Sequence, residues 1–401
     1  ARRAWEVLAA AQRRDPDRAA AVLTHPAAGP ALVRLLVRLD RLRDGTAGAA
    51  APRPSLSWFT ALAAAAAVRS GLPERLRWTP DGPWVTLPSV GHAHVPGAGA
   101  DGHGPVELEV GADGRTRLAL PGAPGGPPPL TVPRDPHGAA GRWQGAHRLA
   151  ALGPSAPLLL DTIDPPCFQR AVRAPDGMPE GEVRHWRHTA RAAVDLLAAD
   201  HAELHAELAA VPWVLVPLVD AVSGTVSGSN AETFGCLALS RPATATRFAV
   251  TLAHEAQHNK FAALLHLFDL FEPGGSELYY ASWRPDPRPL LGLFHGAYAH
   301  LGVARFWNRQ RESTPDRELR AAAEFQFTRW RAAAREATAQ VLGSPRLTPL
   351  GHRFAEGMLT TLDALCRLPV APEARRSASA SARAHRSAWR ERNGPVAALP
   401  A

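Results

Sequence analysis

From about Ala245 to Phe271 the chain reads as one uninterrupted helix, and His254-Glu255-Ala256-Gln257-His258 sits inside it. Apolar residues flank the pentapeptide on both sides, Phe248-Ala249-Val250-Thr251-Leu252-Ala253 before it and Phe261-Ala262-Ala263-Leu264-Leu265 after it, with no proline or glycine between. Successive residues of an α-helix turn by about 100°, so residues four apart differ by about 40° and present their side chains on one face. His254 and His258 can therefore reach a single ion, with Glu255 beside that face. The bland alternative is a pair of polar residues on a solvated helix, which an alanine-rich chain with 17 histidines produces by chance. Pro273-Gly274-Gly275 ends the helix.

The rest of the chain predicts an α+β protein, mainly helical with a strand-rich middle segment and a metal site between two helices. Helical spacing recurs at Ala4 to Arg13, Pro16 to Leu23, Leu32 to Leu42 and Ser55 to Arg69, with Asp15 and Pro16 reading as a helix start. Alternating runs follow, among them Trp84-Val85-Thr86-Leu87, Val106-Glu107-Leu108-Glu109-Val110 and Thr116-Arg117-Leu118-Ala119-Leu120, with Asp113-Gly114 as a hairpin signal. Beyond them come a helix over Gly181 to Ala210, strands at Trp213 to Val219 and Thr233 to Leu239, and helices from Leu290, Glu318 and Thr348. The expected regions are an N-terminal helical part (1–75), a strand-rich part (76–175), a helical metal-binding part (176–371) and a flexible Ser/Ala/Arg-rich tail (372–401).

Composition narrows the partners. The 401 residues are 46% hydrophobic and 20% charged, as in globular proteins, and no apolar run approaches the roughly 20 residues that cross a bilayer. The net charge of +8 is almost entirely arginine, with Lys260 the sole lysine. Those arginines are dispersed and not interleaved with aromatics, so neither nucleic acid nor membrane is an expected partner. Cys167, Cys236 and Cys366 are odd in number and far apart, which suits a reducing compartment, and Ala1-Arg2-Arg3-Ala4-Trp5 has no apolar stretch behind its charges. The expected localisation is cytoplasmic.

A catalytic metal usually takes three protein ligands and leaves a position open. A further histidine in the extended motif would fall at 264, which is Leu264, and its glycine at 261, which is Phe261, so that arrangement is excluded. Glu277 lies at nearly the distance of a peptidase third ligand, and Glu255 would then act as general base on zinc-bound water. His295 is the other choice, on a helix entered through Pro287-Arg288-Pro289 and followed by Gly296 and Gly302. Histidine is the commonest ligand of this kind, although a buried histidine also serves as core.

The run Tyr279-Tyr280-Ala281-Ser282-Trp283-Arg284-Pro285-Asp286-Pro287-Arg288-Pro289, continued by Leu290-Leu291-Gly292-Leu293-Phe294-His295-Gly296-Ala297-Tyr298-Ala299, joins the pentapeptide in a recognisable pattern. Together they resemble the HExxH-type peptide β-hydroxylases, iron- and 2-oxoglutarate-dependent enzymes of modified-peptide biosynthesis. The similarity is strongest from Leu252 to Trp307 and reaches faintly to Asp161-Thr162-Ile163-Asp164-Pro165 and the N-terminal helices. The resemblance implies Fe(II) held by His254, His258 and His295, 2-oxoglutarate as cosubstrate, and a ribosomally made peptide, with or without a leader segment, as substrate. It leaves Glu255 without an obligatory acid/base task. Arg284 and Arg288 are the nearest cations for the distal carboxylate of 2-oxoglutarate, their ordinary alternative being ion pairing with Asp286. Tyr298, one turn beyond His295, could bond a cosubstrate oxygen or simply pack. Lys260 lies about 200° from His258 on the helical wheel, which suits a structural role.

Overall fold

A computed structural model describes residues 1–45, 56–99, 104–122, 126–154, 156–162, 178–218 and 226–394. Its helices are α1 (Arg2–Arg14), α2 (Pro16–Leu23), α3 (Ala28–Arg43), α4 (Ser57–Ser70), α5 (Glu180–Asp200), α6 (Ala202–Leu208), α7 (Ala245–Leu267), α8 (Leu290–Ser313), α9 (Arg317–Leu342), α10 (Pro349–Arg367) and α11 (Pro372–Asn393). The protein is a mainly helical α+β fold with a strand-rich middle. Helix starts follow side-chain chemistry: Asp15 accepts from the Arg18 amide at 3.0 Å with Pro16 behind it, and Thr244 accepts from the Arg247 amide at 3.2 Å.

The chain forms two compact units. The first comprises Ala1–His188, Val211–Val226 and Gly235–Arg241. Its core runs without a break from Val7 and Leu8 of α1, through Leu62 of α4, to Leu76, Leu108, Leu118 and Trp143 of the strands. The expected boundary between 75 and 76 is therefore not a division. The reason lies in α4, where Ala61 to Ala67 are all buried, their small side chains letting this helix contact strands on one side and α1 on another. Strands Glu74–Trp78, Val106–Val110, Thr116–Ala119 and Leu130–Thr131 form an antiparallel sheet in that order, with Leu76, Leu108 and Leu118 in register on its inner face. Gly114, at φ 75°, turns the hairpin that Asp113-Gly114 predicts. Strand Ala156–Leu160 pairs antiparallel with His147–Gly153 and parallel with Trp213–Leu218, which pairs parallel with Cys236–Ser240. Parallel neighbours need a crossover, and α5 with α6 supplies the first. Cys167 and Ile163 to Pro165 lie outside the described residues.

The second unit comprises Thr189–Ala210, Ser227–Phe234 and Pro242–Ala401. Here α8 packs on α7 and α9, and α9 also packs on α10 and α11. The helix expected over 181–210 breaks at His201, which leaves helical geometry at φ −128° and ψ 52°. The polar tail expected from 372 is instead α11. Its Ala374, Ala378 and Trp389 are buried, because small residues at four-residue spacing let a polar helix approach α9 closely. Among the described residues no single helix is long and apolar enough to cross a membrane.

Candidate metal centre

Residues on α7 and α8 build the centre, and a glycine controls how closely the two helices meet. A Cβ at Gly302 would lie 2.5 Å from Gln257 Cγ, so α8 reaches α7 only with hydrogen at this position. Gly296, on the same helix, makes room for Trp283, whose indole would lie 2.4 Å from a Cβ there.

His254 Nε2 and His258 Nε2 stand 3.1 Å apart, and His258 Nδ1 stands 3.3 Å from His295 Nδ1. Nitrogen–metal bonds of about 2.1 Å put two ligands about 3.0 Å apart at right angles and about 3.4 Å apart at tetrahedral angles. The α7 pair therefore fits an ion as it stands. His295 is brought to the same cluster, as its place on α8 predicts, but it meets the opposite nitrogen of His258. For that reason the three imidazoles form a row, and among the described residues no three His, Cys, Asp or Glu side chains are gathered in a metal-ready group.

The row has a fourth member that the motif does not reveal. His300 on α8 lies 4.9 Å from the His254 ring, between Trp283 at 4.3 Å and Trp330 at 4.5 Å. Its Nδ1 donates to the Gly296 carbonyl at 2.8 Å, which leaves the lone pair on Nε2. The available signal was the buried stripe Leu293, Ala297, His300 and Ala304, which puts a histidine where α8 needs core. Phe261 packs edge-on against His295 at 4.7 Å, and Phe294, Tyr298 and Phe354 surround Phe261. These rings cover part of the cluster, in which His300 is buried and His254, His258 and His295 are partly buried. Burial lowers His254 and His295 to about 4, and burial with the neighbouring His254 lowers His258 to about 3. His300 falls well below its ordinary value, again mainly through burial. All four are neutral at neutral pH, the form that binds metals.

Glu255 is 2% exposed, and its Oε1 accepts from Ser227 Oγ at 2.7 Å while lying 3.9 Å from His254 Nε2. Oε2 is buried with no hydrogen-bond partner in reach. Burial raises the carboxyl pKa, against opposing effects from His258, Ser227 and Ser229. The two serines lie on the short strand Ser227–Ser229, more than 20 residues before Glu255, so their reach to it was not legible in the sequence. Glu277 does not join the centre; it is exposed and pairs with Arg346 at 3.7 Å.

The cosubstrate candidates are placed differently from the histidines. Arg284 Nε is 3.2 Å from Asp286 Oδ1, and Arg288 Nη1 is 3.4 Å from Asp286 Oδ2. Both arginines thus make the ordinary ion pair that their spacing allows. Arg288 also lies over the first turn of α8, where a Cβ at Gly292 would come within 2.9 Å of its guanidinium. Tyr298 packs on Phe261 and Phe354 and lines a cavity of about 420 Å³ walled also by His201, Gln257, Lys260 and Phe306. Lys260 pairs with Glu207 at 3.0 Å, the structural role its position predicts. No protein-family model matches the chain, and no curated protein matches it.

Proposed function

We propose that the protein is an Fe(II)- and 2-oxoglutarate-dependent oxygenase that hydroxylates a β-carbon of a residue in a ribosomally made peptide. The observation that carries this reading is which third side chain stands with His254 and His258. His295 is in contact with His258, whereas Glu277, the peptidase alternative, is held by Arg346. His254 and His258 would hold the metal, His295, which faces the other nitrogen of His258, would have to turn to join them, and Fe(II), when bound, would supply the redox and O2 chemistry.

The chain's own contribution is positional. Phe261, Phe294, Tyr298 and Phe354 exclude water from the side of His295, and the hydrogen bond from His300 to the Gly296 carbonyl fixes that ring beside His254. Ser227 holds Glu255 in the buried turn between the two α7 histidines, which orients the helix and demands no proton transfer. The 420 Å³ cavity along α7 and α8 is the space we assign to the peptide side chain, since Ala253 and Gln257, the sequence neighbours of His254 and His258, are in its wall.

A zinc peptidase is the second reading, favoured by the 3.9 Å between Glu255 Oε1 and His254 Nε2. Anaerobic reconstitution with Fe(II), then measurement of succinate from 2-oxoglutarate in the presence of candidate peptides, tests the first reading. Iron-dependent succinate formation that persists in Glu255→Gln is expected. Zinc-dependent peptide cleavage abolished by Glu255→Gln, without iron-dependent turnover, would reverse the choice.

A further inference from the structure

A second cavity, of about 290 Å³, opens between α9 and α11 and is lined by Ser282, Arg329, Arg331, Arg375, Ser379 and His385 among others. None of the three candidate metal ligands lines it. Its charges are unequally matched. Glu336, the carboxylate in the wall, is taken by Arg386. Arg331 is buried over Phe327, and its Nη1 donates to the Leu365 and Leu368 carbonyls at 2.6 and 2.9 Å, closing the end of α10.

Arg329 is different. It is half-buried with its guanidinium 4.6 Å from the Trp330 ring, and among the described residues no acidic side chain forms an ion pair with it. Burial lowers its pKa, a sign that it has lost water without gaining a carboxylate. Ser282 Oγ, in the same wall, is buried and has no hydrogen-bond partner. A partly desolvated cation and an unsatisfied hydroxyl facing one cavity both cost free energy until an acceptor with negative charge meets them.

We infer that this cavity binds a small oxyanion, a carboxylate or a phosphate, with Arg329 as its ion-pair partner, Ser282 as hydroxyl donor and Arg375 at the rim. The planar guanidinium suits either ligand through paired N–H donors. The volume accepts a small dicarboxylate or a phosphate ester and is too small for a folded peptide segment. The site is independent of the oxygenase reading, since it needs neither metal nor turnover.

Calorimetric titration of the full chain with succinate and, separately, with inorganic phosphate tests it, and the two arms identify which oxyanion is preferred. Saturable binding of at least one is expected, weakened about tenfold or more by Arg329→Gln and unchanged by the same charge loss at exposed Arg353 on α10. Should Arg329→Gln fail to fold, Ser282→Ala and Arg375→Gln carry the test, and weakened binding in either supports the site. Absence of saturable binding of both anions overturns it, as does binding that no variant in the cavity weakens.

Discussion

Two histidines, His92 of the first unit and His258 of the second, treat their ring nitrogens in opposite ways. In the first unit, His92 spends both nitrogens on oxygen: Nδ1 is 3.1 Å from Thr86 Oγ1 and Nε2 is 3.3 Å from Asp161 Oδ2. In the second, His258 faces nitrogen on both sides, His254 at 3.1 Å and His295 at 3.3 Å. An imidazole between a hydroxyl and a carboxylate is satisfied by the protein and has no reason to take a ligand. Imidazoles that face one another must place a proton between each pair of lone pairs, and a cation can replace that proton. Histidine burial alone therefore says little about function; the partners of the two nitrogens say much.

The largest expected effect comes from breaking this contrast at its centre. His258→Ala is expected to lower Fe(II) or Zn(II) affinity by more than about 100-fold, since loss of even an outer partner costs 10- to 100-fold. His92→Ala is expected to leave metal stoichiometry intact while costing about 2 kcal/mol of stability through the buried Asp161 it leaves behind. Metal content after dialysis and urea denaturation of both variants would measure this, and equal metal loss in the two would end the distinction.

Acid sharpens the same comparison. His254 and His295 at about 4 and His258 at about 3 lie below the ordinary histidine value of about 6.5. The folded chain then binds fewer protons than the unfolded chain between those limits, so stability is complete above about pH 6.5 and falls as pH drops towards 4. His25 in the first unit, lowered by burial to about 4, adds to the loss. A melting temperature lower at pH 5 than at pH 7, with faster amide exchange in α7 and α8 than in α4, is the expected outcome. Unchanged melting across that range would contradict the burial argument.

The smallest effect concerns Glu255. Removing its donor by Ser227→Ala is expected to cost about 1 kcal/mol of stability and to leave metal content unchanged. Loss of metal in Ser227→Ala would instead mean that the carboxylate supports the ligands directly.

How much of this was legible depended on whether a residue's role was set by its own helix. α7 and α8 were readable because apolar spacing continued through them, and His254, His258 and His295 inherit their positions from that spacing. α11 was not, because its buried stripe consists of alanines in a run otherwise rich in Arg and Ser, which composition alone reads as polar tail. Arg284 and Arg288, expected as anion holders, share Asp286 between them, which answers their charge locally. Arg329 sits on a helix with no motif, and what distinguishes it from Arg331 and Arg375 in the cavity beside α11 is half-burial over Trp330 with no ion pair to an acidic side chain among the described residues.

By itself the sequence determined the mainly helical fold with strands in its middle, the helix that pairs His254 with His258, and the helix that carries His295, since helical periodicity is a local property of the chain. The tertiary structure alone decided that Glu277 pairs with Arg346, that Ser227 reaches Glu255, and that His300 joins the row beside His254. Those contacts join residues distant in sequence or depend on which face of a helix its neighbours cover, and burial, more than spacing, keeps all four imidazoles neutral.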